Sequence, residues 1–446
     1  MNARQRGGSL PSGKLRDFAL AVLLVASVQA CAQKAGPRPG ADAPAQAQAQ
    51  APPGAARVRT GVEVLLSGPM DIFEGKRVGV VCNHTSVLPD GTHLVDTLLK
   101  RGVHITALFA PEHGFRGTAP AGANVADATD PSTGLPVFSL YGRTTKPNPE
   151  MLSEVDVLVF DIQDIGSRYY TYAATMAFAM EAAAQNGKRF VVLDRPNPID
   201  GLDVEGPVLD MGFRSLVGMF PIPVRHGLTA GELAKMIIGE GWIDDTRLDL
   251  RVVPMEGWRR SMWYDETGLP WVSPSPNMKS LSTAVVYPGM CLIEATNVSE
   301  GRGTDHPFET AGAPGVDGSA FAETLNALGL PGVKFRATSF TPRAGGAAGS
   351  DPKHRGRLCG GVSLDVTDRG SFRPVLTGLA VVQAFGRSLR GKFSMREGLM
   401  DRFLGSDIVR KKLQEGVPPA DLLSLNRADF AAYMKQRSKY LMYADR

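Results

Sequence analysis

The sequence predicts an α/β protein: a Rossmann-like, mostly parallel sheet with helices on both faces, followed by a smaller α+β C-terminal auxiliary domain. Three observations carry that prediction. From residue 61, short apolar runs rich in Val, Ile, Leu and Phe alternate with stretches of helical period, the sequence form of βαβ units. Each apolar run leaves into charged, amide or aromatic residues, as expected where parallel strands share one carboxyl edge and ligands bind there. Near residue 306 the alternation gives way to a mixed order of helices and strands. A larger domain over 61–305 and a second, smaller domain over 306–446 follow from this change of pattern.

The amino terminus reads as a targeting segment. Arg4, Arg6, Lys14 and Arg16 precede an apolar run over 18–28, too short to span a bilayer comfortably, and small residues follow. Residues 1–31 are therefore expected to be a signal peptide. Val28-Gln29-Ala30-Cys31 resembles a lipobox, in which Cys31 would be lipidated and form the sole membrane attachment. The expected location is extracytoplasmic, either periplasmic or as an outer-membrane-anchored lipoprotein. Residues 32–60 are almost entirely Ala, Pro, Gln and Gly near their start, which cannot bury enough apolar surface to fold, and read as a disordered tether.

The elements then follow in order. A first strand over 76–83 exits into Asn83-His84-Thr85-Ser86, and a helix over 92–101 carries Leu94, Val95, Leu98 and Leu99 on one face. The buried run over 105–110 exits into Pro111-Glu112-His113-Gly114-Phe115-Arg116-Gly117. There a carboxylate, an imidazole and a guanidinium sit between residues that let the backbone bend. A third strand over 136–140 leads to Tyr141, and a fourth over 156–160 to Asp161, Gln163, Asp164, Arg168 and Tyr170. After a helix over 175–185, a fifth strand over 190–193 exits into Asp194, Arg195 and Asn197. Each exit taken alone also fits a cap or a structural turn. Their convergence on one sheet edge is the stronger signal.

Further on, Thr229 caps a helix over 229–239 with Glu232 completing a capping box, which makes Glu232 structural, while His226 ahead of it is expected to face the cleft. Trp258, Trp263 and Trp271 fit either a sugar-stacking surface or a satellite core, and Asn277 follows in Ser275-Pro276-Asn277-Met278. The stretch over 294–309, with Glu294, Asn297, Glu300 and Arg302, has almost nothing apolar to bury and reads as a solvated loop or an active-site wall near the domain seam. Helices are expected over 319–328, 375–389 and 394–399, and strands over 334–340 and 361–367.

Composition bounds the function. With 43% apolar and 21% charged residues the chain is a globular protein, and a net charge of +4, partly in the first 16 positions, gives no reason to expect nucleic acid. No GxGxxG follows the first strand, so a dinucleotide or P-loop cofactor is not expected. Without CxxC, HExxH or a His-rich tract, no structural zinc site is expected either. Cys31 aside, Cys82, Cys291 and Cys359 allow one disulfide at most.

Six ordered segments resemble one family, the NamZ-type exo-β-N-acetylmuramidases. They begin at Pro111, Asp161, Leu193, His226, Ser275 and Ser299; Lys279 and Ala295 stand where the family pattern has Pro and Gly. The resemblance covers roughly 60–446. It implies a Rossmann-like domain carrying the site and an auxiliary domain closing it. It also implies release of N-acetylmuramic acid from the non-reducing ends of peptidoglycan-derived glycan such as MurNAc-GlcNAc, without metal or nucleotide. By position in the motif, Glu112 would be the key catalytic residue.

The residues are compatible with that chemistry. Glycosidic cleavage needs an acid to protonate the leaving oxygen, the role Glu112 fits. A second carboxylate would lie about 5–5.5 Å away as a nucleophile or about 6.5–9.5 Å away as a base for water, unless the substrate's 2-acetamido group assists. Asp161 and Asp164, with Asp194, Glu294 and Glu300, are the candidates. The lactyl carboxylate of muramic acid calls for a guanidinium, from Arg116, Arg168, Arg195 or Arg302. Asn83, His113, Tyr141, Gln163, Tyr170, Asn197, His226, Asn277 and Asn297 complete the expected substrate contacts. Two other classes also fit the residues: a catalytically silent glycan- or muropeptide-binding lipoprotein, and a metal-dependent hydrolase built on His84, His113, Asp161 and His226.

Overall fold

The computed structural model describes residues 57–117, 126–244, 247–345 and 351–445. The expected signal peptide, the lipobox and most of the tether lie outside the described residues. Residues 57–60, which composition assigns to the tether, are packed. Val58 is buried, Arg59 pairs through its backbone with Glu256, and Thr60 caps the first helix, α1 (Gly61–Ser67), in a capping box with Glu63.

The central sheet then builds through β1 (Val78–Cys82), α2 (Leu94–Lys100), β2 (Ile105–Ala110), β3 (Ala128–Thr129), β4 (Pro136–Ser139), β5 (Val157–Asp161), α3 (Tyr172–Gln185), β6 (Arg189–Leu193), α4 (Ala230–Gly239) and β7 (Leu250–Val253). Its order is β3-β4-β2-β1-β5-β6-β7, all parallel except the short β3. Leaving β3 aside, this is the doubly wound order, with the switch in direction between β1 and β5. Alternate residues serve the two faces: Val157 and Val159 of β5 join the core under α1 and α2, whereas Leu158 and Phe160 join the core under α3 and α4.

The C-terminal part comprises α5 (Leu281–Met290), β8 (Thr310–Ala313), α6 (Gly318–Asn326), β9 (Val333–Phe340), β10 (Cys359–Val366), α7 (Pro374–Ser388), α8 (Glu397–Leu404), α9 (Asp407–Gln414), α10 (Pro419–Ser424) and α11 (Arg427–Arg437). β8, β10 and β9 form a small antiparallel sheet in that order. Sequence reasoning placed no helix at α5, because Pro288 sits inside it. Gly289 of α5 and Gly378 of α7 lie at so close a crossing that a Cβ on Gly289 would strike the backbone of Pro374 and one on Gly378 the backbone of Gly289, which lets these helices press together and fixes the chain that follows α5.

Among the described residues the cysteines are buried free thiols. The three tryptophans form no common surface. Trp258 packs with Val58 and Met255, the guanidiniums of Arg225 and Arg369 each lie 5.4 Å from the Trp263 ring centroid, and Trp271 meets Tyr264 edge-on. They are satellite packing, and the sugar-stacking alternative is set aside.

Candidate active site

Glu112 stands on the turn that leaves β2. Gly114 N donates to Pro111 O at 2.9 Å and Gly117 N to Gly114 O at 3.1 Å, so two turns follow one another. Buried His113 holds φ 73°, a left-handed conformation that a non-glycine residue keeps only when its surroundings impose it. Part of that constraint is visible. Phe115 is buried and meets His93 edge-on at 5.1 Å, while Gly117 lies so close to the His84 ring that a Cβ there would strike it. His84 Nε2 is 2.7 Å from Ser273 O, so this nitrogen donates; burial lowers the ring's pKa and keeps it neutral.

The carboxyl of Glu112 is oriented from two sides. Thr171 Oγ1, from the β5 exit, donates to Glu112 Oε2 at 2.7 Å. Tyr141, from the β4 exit, hydrogen-bonds to the same carboxyl. Burial, together with the Glu112 charge, holds its phenol above the ordinary range, so it keeps its proton.

Glu112 faces a cavity of about 960 Å³. One side comes from the sheet edge, through Glu112, His113, Tyr141, Tyr170 and Thr171, with Asn277 added from the segment before α5. The other comes from α5, through Tyr287, and from the chain after it: Glu294, Asn297, Glu300, Arg302, Lys353, His354 and Arg396. Aromatic rings support the floor, with Tyr170 edge-on to Tyr172 and Tyr287, and Tyr287 edge-on to Phe308.

A charged network fills the far wall. Arg302 donates from Nε to Glu294 Oε1 at 2.7 Å, with Nη2 2.6 Å from that oxygen, and its guanidinium lies 5.0 Å from the Phe308 ring centroid. Burial alone would lower the Arg302 pKa, but Glu294 and Glu300 outweigh it and hold the group charged. Its Nη1 is buried with no hydrogen-bond partner among the described residues. Lys353 Nζ donates to the carbonyls of Ile293 and Val298 and sits 2.9 Å from Glu300 Oε2, an ion pair outside hydrogen-bond alignment. Asn297 lines the cavity but spends its side chain on Lys392 O and Ser394 N.

The other expected site residues lie outside this lining, and each has a structural partner. Asp161 and Arg195 form a buried ion pair with Nε–Oδ1 at 2.5 Å, beside the topological switch point, so the crevice that a nucleotide would use is filled by side chains. Asp164 accepts from Gly166 N, and burial pushes its carboxyl up to about 7. Arg168 is buried and donates to three carbonyls, of Pro207, Ile222 and Phe403. Asp194 accepts from Thr229 Oγ1, Gly231 N and the Tyr443 hydroxyl. Gln163 donates to the carbonyls of Asp164 and Pro196, and Asn197 to that of Leu228. Asn83 accepts from Thr85 within its own loop. His226, expected to face the cleft, is buried with Nδ1 accepting from Leu228 N, and burial pulls its pKa down to about 3. Arg116 reaches outward to Asp130 at 2.5 Å. Glu232 is structural as expected, pairing with the buried Arg260.

Among the described residues no group of three or more His, Cys, Asp or Glu is placed to hold a metal ion. Sequence reasoning missed Thr171, Tyr287, Lys353, His354 and Arg396. The run Asp351-Pro352-Lys353-His354-Arg355 after a Gly- and Ala-rich stretch is a signal that would have marked part of the wall.

Comparison with known proteins agrees with this architecture. The family models described as exo-beta-N-acetylmuramidase NamZ, N-terminal and C-terminal, match residues 78–282 and 285–443. The chain is 46% identical over 389 residues to the peptidoglycan beta-N-acetylmuramidase NamZ of Bacillus subtilis (strain 168), covering 87% of this chain and 92% of that protein. Two crystal structures of DUF1343 family proteins from Bacteroides fragilis NCTC 9343 are also similar. Their TM-scores are 0.79 and 0.72 and their identities 38% and 33%, covering 87% and 88% of this chain and 99% and 100% of theirs. With both family models matched in order and a relative this similar along most of its length, the chain belongs to the NamZ exo-β-N-acetylmuramidase family.

Proposed function

We propose that this protein is an exo-acting glycoside hydrolase that releases N-acetylmuramic acid from the non-reducing ends of peptidoglycan fragments, with Glu112 as the general acid. The observation that carries the reading is the position of Glu112, oriented by Thr171 and Tyr141 on a constrained turn and facing the charged wall of the same cavity. A carboxyl so oriented can deliver a proton to the bridging oxygen as the bond to the departing sugar breaks. Glu294 and Glu300 supply the opposing negative charge, and the substrate's 2-acetamido group is the other candidate for assistance. Arg302, through its unpartnered Nη1, is the guanidinium that suits the lactyl carboxylate.

Export, with a lipid anchor at Cys31, belongs to the same proposal; the basic segment, the apolar run and the lipobox-like sequence support it. The deciding experiment gives the enzyme MurNAc-GlcNAc and an aryl β-N-acetylmuraminide. Free N-acetylmuramic acid should appear, and Glu112→Gln should lower kcat by roughly 10²–10⁴-fold. No release by the wild type would favour a silent binding protein. A Glu112→Gln variant at wild-type rate would remove Glu112 from the chemistry.

A further inference from the structure

Resting on that reading, we propose that a second cavity beside the first is a subsite for the departing strand, an amino-sugar chain whose next muramic acid carries a carboxylate. This cavity has a volume of about 570 Å³ and is lined by Lys279, Thr304, Ser339, Phe340 and Arg343, among others. Both cavities fall in the size range of small-molecule sites. They are neighbours: Asn277 lines each of them, and the chain between them turns Arg302 to the first and Gly303 and Thr304 to the second.

That dividing ridge is built rather than loose. Arg343 N donates to Gly303 O at 2.9 Å, and Lys279 Nζ donates to Thr304 O at 3.1 Å. Gly303 adopts φ 81°, and a side chain there would strike the backbone of Arg343 and the ring of Pro352, which itself lines the first cavity.

The lining suits a carboxylated sugar. Half-buried Phe340 and the exposed Leu358 offer apolar surface for the faces of sugar rings, and Thr304, Ser339 and Thr341 offer hydroxyls. Two cations, Lys279 and Arg343, stand against one carboxylate, Asp305, whose Oδ1 is 3.5 Å from Lys279 Nζ. An enzyme that removes one residue from a chain end must house the rest of the chain outside the first cavity. In a strand of alternating GlcNAc and MurNAc, the next lactyl carboxylate lies one residue beyond the first departing sugar, and a cation near it adds a charge-assisted hydrogen bond.

The test compares MurNAc-GlcNAc with the stem-free tetrasaccharide MurNAc-GlcNAc-MurNAc-GlcNAc. Wild-type kcat/KM should be roughly tenfold higher for the tetrasaccharide, the worth of one hydrogen bond to a charged group, and the Lys279→Ala/Arg343→Ala double variant should lose that advantage while keeping its disaccharide rate. Equal wild-type rates on the two substrates, or a variant that slows both alike or neither, would overturn the subsite. A second arm needs no turnover. The trisaccharide GlcNAc-MurNAc-GlcNAc, which has no terminal muramic acid to release, is titrated calorimetrically into both proteins. Binding that weakens roughly tenfold in the variant supports the cavity, and binding that is equal or undetectable in both refutes it. If the disaccharide is not cleaved at all, the hydrolase reading falls, and the trisaccharide arm still decides the cavity by itself.

Discussion

Replacing Arg168 by Met tests whether this guanidinium belongs to the fold or to the substrate. The sequence places it among polar exits where it could bind a carboxylate. In the structure its Nη1 donates to Pro207 O at 2.8 Å and Ile222 O at 2.7 Å, and its Nη2 to Phe403 O at 2.6 Å, so one side chain ties the β5 exit to α8. Methionine keeps the apolar stem, leaves the carbonyls of Pro207 and Phe403 without the Arg168 donor at ~1–3 kcal/mol each, and leaves Ile222 O to Leu209 N alone. Part of that loss is returned, because burial already penalises the cation and pulls its pKa down to about 10. We expect a net loss of about 3 kcal/mol. Urea denaturation followed by circular dichroism should show the midpoint falling, with KM of the folded fraction close to wild type. An unchanged midpoint with a KM raised by roughly tenfold or more would refute the reasoning and return Arg168 to the substrate.

Three further outcomes follow from the same geometry. Asp164 titrates at about 7 when folded, against an ordinary 3.8, so the folded state keeps a proton that the unfolded chain releases. Stability from this group is complete below pH 4 and declines as pH rises to about 7. Asp164→Asn, which mimics the protonated form, should match the wild type in urea melts at pH 4. At pH 8 it should exceed it by at most about 4 kcal/mol, an upper bound because the residue is only partly buried while its Oδ2 is sealed. Parallel pH profiles of the two proteins would sink this account. Gly117→Ala combines a φ of 70° with a Cβ that lands in the His84 ring, and should cost ~2 kcal/mol or more in a melt and lower kcat/KM by at least roughly tenfold. Chelation should leave activity unchanged, because His84, Asp161 and His226 are held by separate partners and, among the described residues, no group of three or more His, Cys, Asp or Glu is placed to hold a metal ion; loss with EDTA and recovery with zinc would overturn that view.

Residues in one segment were legible when their job is local. The Thr229–Glu232 capping box reads directly from spacing, and the strand runs read from composition, because burial on both faces demands unbroken apolar residues. The left-handed His113 turn was foreshadowed only by the glycine that follows it. Residues whose job depends on a distant partner were not legible. Asp161 and Arg195 are 34 positions apart and Arg168 and Phe403 are 235 apart, and nothing in either segment announces the other.

By itself, then, the sequence determined the class of sheet, the direction of its strands and the edge where polar side chains gather, since these rest on periodicity and on the handedness of short crossovers. It also offered Glu112 on a turn built to present it. Only the tertiary structure decided which polar exits stay open to solvent and which close on one another. A carboxylate next to a guanidinium looks the same in sequence whether the pair binds a sugar or fills a crevice. Desolvation makes the difference: ions removed from water must find partners within the protein, so Asp161, Asp194 and Arg168 were spent on the fold. The wall that faces Glu112 comes from α5 and the chain after it, brought there by packing between helices that are far apart in sequence.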